Sequence, residues 1–243
     1  MIVTAVIFVT LIGLLILNVP IAFSTGISAV VGTLATGKLP LSIIPQRMFF
    51  GVDSFILIAV PLFILTGKFM ELGGITRDLL NLSDVLVGYL RGGLAYVNIV
   101  ASMIFAGITG SAASDTASIG SILIPAMIEK GYEKDFTVAV TVTSSTIGVM
   151  IPPSIAMILY GVSANQSVGK LFLGGIVPGV LVGAALMIVT YILARKRNYP
   201  VNRRVSFKEG LIIVLKSIPA LFTIVLIIGG IVGGLFTPTE AAA

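Results

Sequence analysis

Apolar runs of roughly bilayer-spanning length follow one another along this chain from Ile2 to Leu235, separated by short polar or Gly- and Pro-bearing connections. Runs of this kind are helices, because backbone amides in hydrocarbon must find their partners within the segment itself. The sequence therefore predicts an all-α polytopic membrane protein. A single anchor on a soluble domain is excluded, since the apolar runs occur from end to end.

Composition agrees. Hydrophobic residues make up 57% of the 243 residues and charged residues 10%, against about 25% charged in soluble domains. A mean hydropathy of +1.14 leaves too little polar surface to cover a water-soluble core. There is no Cys and no His, which removes disulfides, thiolate or imidazole metal sites and His-based acid–base chemistry. The carboxylates are few and scattered. The first apolar run has no basic segment before it and no small-residue cleavage site, so it reads as a mature span rather than a signal peptide. The net charge of +5 sits in short loops between spans and predicts no nucleic-acid partner.

Along the chain, Ile2–Leu17 is apolar up to Asn18-Val19-Pro20, and Ile21–Ala35 forms a second run. Leu41–Asp53 is mixed and suits an interfacial stretch, and Phe55–Leu65 resumes the membrane pattern. Residues 68–91 interleave Glu71, Arg77, Asp78 and Asp84 with Leu79, Leu80, Leu82, Val85 and Leu86 at helical period, which predicts an amphipathic surface helix. Leu94–Met127 and Phe136–Tyr160 are apolar but broken internally. Leu171–Leu193 is a plain span, Arg195–Lys208 a basic loop and Ile218–Leu235 the last span. Asp53 and Pro61 read as a helix start and a kink, and the Gly-Gly pairs as close-packing positions. The expected organisation is residues 1–91 as scaffold spans plus surface helix, 92–161 as a hairpin and broken helix, and 162–243 as further spans. The ending Thr237-Pro238-Thr239-Glu240 carries a cap, a first-position Pro and a third-position Glu, the marks of a starting helix. It is read as the start of a helix that a truncated chain does not finish.

Lys and Arg placement gives orientation. Arg195, Lys196, Arg197, Arg203, Arg204 and Lys208 form the dominant basic cluster and are expected in the cytoplasm. If Leu94–Met127 enters and leaves on one face, Lys68, Arg77, Arg91, Lys130, Lys134 and Lys216 join them, leaving Lys38, Arg47 and Lys170 outside. A crossing there would destroy that asymmetry, so charge favours a re-entrant hairpin with the first residue periplasmic. Length points the same way: Leu94–Ile108 and Ser114–Met127 each reach only roughly 20 Å as helices, short of a ~30 Å hydrocarbon core.

Between them lies Thr109-Gly110-Ser111-Ala112-Ala113-Ser114-Asp115-Thr116, small and polar at membrane depth, where exposed backbone must be buried in protein or line a wet cavity. Of the ten acidic residues, Asp115 alone lies well inside an apolar stretch. It is a candidate functional carboxylate or, equally, a cap on the second half-helix. The second break contains Ser144, Ser145, Thr146, Gly148, Met150, Pro152, Pro153 and Ser154. Two prolines remove two donors and push preceding residues out of helical geometry, so carbonyls around Ile147–Met150 are expected to lack helical partners. Free carbonyls beside hydroxyls offer the oxygen shell a cation such as Na⁺ requires; the plainer reading is a kink with hydroxyls bonded to their own helix.

The stretches FAGITGSAASDTASIGSILIPAMIEKGY, SSTIGVMIPPSIAMILYG and GGLFTPTEAAA, together with GVDSFILIAVPLFILTGKFMELGGI and LVGYLRGGLAYVNI, resemble the large, DctM-like permease subunit of tripartite ATP-independent periplasmic (TRAP) transporters, here its N-terminal half. The resemblance implies one half of an inverted-repeat, elevator-type transporter in the bacterial inner membrane. It implies Na⁺-coupled import of an organic acid, a dicarboxylate or sialic-acid-like compound, with no enzymatic activity and no cofactor beyond Na⁺ as coupling ion. The implied partners are a small membrane subunit, a periplasmic substrate-binding protein and the lipid bilayer. Carried over by position, Gly110, Ser111, Ala112, Ser114, Asp115, Thr116, Pro152, Pro153 and Ser154 are the candidate substrate residues. Ser111, Ser144, Ser145, Thr146, Gly148 and Met150 are the candidate Na⁺ residues. The second hairpin and second broken helix of the family pattern are absent from these residues. Other readings are a non-transporting half-subunit that acts as a scaffold, and another ion-coupled anion transporter or channel. A membrane hydrolase built on Ser111 and Asp115 lacks a base.

Overall fold

The computed structural model describes residues 2–202 and 205–243; Arg203 and Arg204 of the basic loop lie outside the described residues. Among the described residues the chain is built of helices. Contacts divide it into Met1–Ser54 and Phe55–Ala243.

In the first unit, α1 (Ile2–Ile16) and α2 (Ile21–Thr36) pack side by side, joined by a turn in which Asn18 adopts a left-handed φ of 64°. Gly32 lets Ile7 lie against the α2 backbone. The Ser28 hydroxyl donates to its own helix at Ser24 O, 2.7 Å, so the buried polar atom needs no outside partner. The mixed stretch after it forms α3 (Ile43–Val52), closed by Asp53 as its C-terminal cap. Asp53 thus ends a helix rather than starting one.

The second unit opens with a 3₁₀ turn, Phe55–Ile58, leading into α4 (Ala59–Leu72). Pro61 falls in the first turn of α4, just after the change from 3₁₀ to α helix, where its missing N–H costs no bond within α4. The helix continues past the expected end at Leu65. Gly67 is buried against Thr109, at 3.4 Å from a would-be Cβ, and Lys68 pairs with Glu71 at 3.0 Å on the outer side. α5 (Ile75–Val87) is the amphipathic helix the sequence predicts: Thr76, Leu79, Leu80, Leu82 and Ser83 are buried and Arg77 is exposed. It lies on α6 (Gly93–Thr109) and α11 (Phe207–Val232), and Leu79, Leu82, Val97, Phe105, Ile119 and Ala220 share a core.

α6 and α7 (Ala112–Glu129) fold back on each other at Gly110 and Ser111. Both are longer than expected, about 26 and 27 Å by helical rise, so length alone does not separate a hairpin from two crossings. Their outer ends lie together. The loop after α10 (Val168–Lys196) touches both: the Gly92 amide donates to Pro200 O at 2.9 Å, Arg91 bonds Asn198, and Lys130 Nζ donates to Asn202 at 2.9 Å. Arg197 pairs with Glu133, and the Tyr132 and Tyr199 rings stack at 4.4 Å. Burial in this cluster pushes the Tyr132 hydroxyl up to about 12. The start of α6 and the end of α7 therefore share one end of α10.

α8 (Lys134–Ser145) passes into a 3₁₀ turn, Thr146–Val149, and a bent stretch with a cis Pro152-Pro153 bond before α9 (Ile155–Ser163). This interrupted segment packs on a line of glycines one turn apart on α10. Gly175 faces Met150 O, Gly179 faces Ile151, and Gly183 faces Met103. Gly175 and Gly179 lie roughly 11 and 17 Å along α10 from Val168, well inside the helix. α11 begins at Phe207, eleven residues before the expected span, because Ser206 and Glu209 form a capping box that starts the helix ahead of its most apolar part. The last expected helix start is present: Thr237 caps α12 (Pro238–Ala242), with Glu240 closing the box. Among the described residues three helical stretches are long and apolar enough to cross a membrane, Phe55–Leu72, Val168–Lys196 and Phe207–Val232.

Candidate functional site

The hairpin tip and the interruption after α8 meet. Gly110 closes α6 with a left-handed φ of 59°, a conformation glycine adopts without the penalty a Cβ brings. It lies directly on the backbone of Pro153 and Ser154, and its carbonyl accepts the Ile155 amide at 3.2 Å. Gly148 approaches from the other side, with a would-be Cβ 3.6 Å from the Ala112 amide nitrogen. Ser111 caps α7 by accepting from the Ser114 amide at 3.4 Å, and Ser154 caps α9 by accepting from Met157 at 3.3 Å. Two helix N-termini, each with an extended serine as cap, thus start within the same small region, and their partial positive charges favour an anion.

A cavity of about 190 Å³ opens at this point, lined by Thr109, Ser111, Ser114 and Ile155 together with Phe63, Ile64 and Gly67 of α4. The Thr109 hydroxyl is buried without a hydrogen-bond partner. Among the described residues the Gly148 and Met150 carbonyls accept no hydrogen bond from outside the turn. Two other carbonyls expected to be free are not: Ile147 O accepts from Met150 and Ile151, both at 2.9 Å, and Val149 O accepts the Ser154 hydroxyl at 2.8 Å. A 3₁₀ turn and a returning serine satisfy them in place of the lost helix.

Behind the tip lies a second polar layer, closed to solvent. Asn98 donates to the Thr141 hydroxyl at 2.6 Å and accepts from Ser144 at 3.2 Å, while Ser102 donates to Ser144 at 3.1 Å. The Ser145 hydroxyl returns to Thr141 O at 2.8 Å. Asp115 is fully buried in this layer and is absent from the cavity lining. The hydroxyls it faces are Ser145 and Ser102, yet neither carboxylate oxygen completes a hydrogen bond.

Of the sequence-derived candidates, the structure brings together Gly110, Ser111, Ala112, Gly148, Pro153 and Ser154, with Ser114 in the cavity wall. Pro152 is buried beside them and Met150 turns its carbonyl toward α10. Asp115, Ser144 and Ser145 join the inner layer instead. Thr116 bonds back to Ala112 O at 2.9 Å, and Thr146 is exposed and bonded to Thr143 O at 2.7 Å, so both follow the plainer structural reading. Sequence reasoning missed Asn98 and Ser102. Their signal was spacing: 98 and 102 share one helical face, as do Thr137, Thr141, Ser144 and Ser145 opposite.

Residues 8–243 match the family model described as the tripartite ATP-independent periplasmic transporter, DctM component. The chain belongs to that family. It is 46% identical over 230 residues to an isethionate TRAP transporter permease protein of Oleidesulfovibrio alaskensis, covering 94% of this chain and 36% of that protein. It is 42% identical over 240 residues to a C4-dicarboxylate TRAP transporter large permease protein of Vibrio cholerae, covering 98% and 53%. A sialic acid TRAP transporter large permease protein of the same species is 41% identical over 231 residues, covering 95% and 54%. The chain spans about half, or less, of the length of these relatives. They are transporter permeases, not enzymes, and in this family the chain is a multi-pass membrane protein.

Proposed function

We propose that this chain supplies one half of the transport machinery of a Na⁺-coupled TRAP permease in the bacterial inner membrane. In this reading α6–α7 is a re-entrant hairpin entered and left from the cytoplasm, and α8 with α9 is one broken membrane helix. Residues 92–161 carry the site, residues 1–91 the scaffold and surface helix, and residues 162–243 lead towards a second repeat. Na⁺ is held by the Ser111 hydroxyl and the Gly148 carbonyl, with Ser144 and Ser145 supporting from behind; the Met150 carbonyl, turned onto Gly175 of α10, is left out of the shell. An organic acid sits in the cavity at Ser111 and Ser114, drawn by the N-termini of α7 and α9. Isethionate, C4-dicarboxylates and sialic acid, named for the relatives, are all anions of the kind this site suits. A small membrane subunit and a periplasmic substrate-binding protein complete the system.

The observation that carries the reading is the meeting of Gly110–Ser114 with Gly148–Ser154, beside a cavity whose hydroxyls come from Thr109, Ser111 and Ser114. Asp115 turned away from that cavity supports it, because no carboxylate then opposes an incoming acid. The test is uptake by a complete permease carrying these residues, reconstituted with its partners. Ser111→Ala is expected to raise the Na⁺ concentration for half-maximal uptake by about 5–10-fold, the effect of one lost oxygen contact, and Ser145→Ala, acting from behind, to raise it by less, both with expression intact. Unchanged Na⁺ dependence in both would overturn the assignment.

A further inference from the structure

Beneath the surface helix lies a larger cavity, of about 540 Å³, that the transport reading leaves without a role. Its volume falls within the ~300–1,000 Å³ of small-ligand sites. Its polar wall is Arg77 and Asn81, one turn apart on α5, with Lys130 just past the end of α7. Its floor is apolar, with Leu94 and Val97 from α6 and Ile122 and Leu123 from α7. Ile122 is 40% exposed and leads from this floor to the outer face of the hairpin.

The charges in this cavity are not balanced within it. The Arg77 side chain is exposed and makes no ion pair or hydrogen bond among the described residues, and the Lys130 ammonium is hydrogen-bonded to the neutral amide of Asn202. The one carboxylate in the wall, Asp84, folds back over Gly88 at the end of its own helix. Burial raises its pKa and the nearby Lys130 charge lowers it, so one carboxylate stands against two cations. Two cations over an apolar floor, at the end of the molecule where Arg91, Lys130 and Arg197 gather, match an anionic headgroup whose chains continue into lipid. A soluble anion would gain nothing from the floor; a zwitterionic lipid would gain little from the cations.

We infer that the cavity between α5 and the base of the α6–α7 hairpin is a binding site for an anionic glycerophospholipid, its phosphate held by Arg77 and Lys130. An occupant there touches the surface helix and both arms of the hairpin at once, so it ties the amphipathic helix to the element that carries the candidate transport site.

Native mass spectrometry of the purified protein, titrated with dioleoyl-phosphatidylglycerol or dioleoyl-phosphatidylcholine, tests this. The wild type is expected to retain phosphatidylglycerol preferentially. Arg77→Gln with Lys130→Gln is expected to cut that preference by roughly fivefold per removed cation, about 25-fold for the pair. Arg77→Lys with Lys130→Arg, which keeps both charges, is expected to retain it and to show that the loss is not misfolding. Lys38→Gln with Lys170→Gln, which removes as much charge elsewhere, is expected to leave it unchanged. The proposal is overturned if the two lipids bind alike, if the Gln pair keeps the preference, if the Lys38 and Lys170 pair loses it equally, or if sn-glycerol 3-phosphate alone displaces the bound lipid.

Discussion

The Gly110 carbonyl accepts the Ile155 amide at 3.2 Å, joining the tip of the α6–α7 hairpin to the first turn of α9. The bond satisfies two backbone groups that helix ends leave open. It makes the tip and the restarted helix one unit, so each fixes the position of the other.

Gly110 is the weakest place to alter that unit. A side chain there must adopt a left-handed φ, which costs a Cβ-bearing residue about 1–2 kcal/mol, and its Cβ would run into the Pro153 carbonyl. Gly110→Ala is expected to lower stability by at least that amount, read as a shift in the denaturation midpoint. Gly174→Ala, inside α10 where a Cβ meets open space, is expected to leave stability unchanged or raise it by up to about 1 kcal/mol. Equal effects would mean that the tip is not packed as described.

The glycine line on α10 makes a second prediction. Gly175 and Gly179 receive Met150 O and the Ile151 side chain, so the interruption after α8 sits directly on helix backbone. Gly179→Leu is expected to push the interruption off α10 and abolish uptake by a complete permease while the protein still reaches the membrane. Gly229→Leu, at an open position, is expected to transport normally. Normal transport by Gly179→Leu would show that this packing is not needed.

Asn98 joins α6 to α8 with one donated and one accepted bond. Asn98→Leu keeps the volume but leaves Thr141 and Ser144 without these partners, at an expected cost of about 1–2 kcal/mol, the range for hydrogen bonds between membrane helices. Denaturant titration of the purified protein in micelles measures it. A cost near zero would mean that the hydroxyls re-pair among themselves.

The breaks were legible because glycine and proline announce them: Gly110 needs a left-handed φ, Pro152 and Pro153 cannot continue a helix, and Thr237 with Glu240 spells a capping box. The amphipathic α5 was legible from its period. The direction of Asp115 was not, since its burial against Ser102 and Ser145 depends on how α7 is rotated after the tip, which only the packing of α6 and α8 decides. Asn98 and Ser102 went unnoticed for a similar reason. A few polar side chains on an apolar helix become a layer only when a facing helix carries hydroxyls at matching heights. The early start of α11 is not visible in the apolar runs, because its signal is local: Ser206 and Glu209 at capping-box spacing ahead of the apolar part.

The account rests on α6 and α7 returning to the face they leave. Single cysteines introduced by Arg91→Cys, Lys130→Cys and Lys170→Cys into this cysteine-free stretch, probed in intact cells with a membrane-impermeant maleimide, test that directly. Arg91→Cys and Lys130→Cys are expected to stay unlabelled until the cells are opened, and Lys170→Cys to label from outside. Labelling of Arg91→Cys and Lys130→Cys from opposite sides of the membrane would make α6–α7 a crossing and contradict the account.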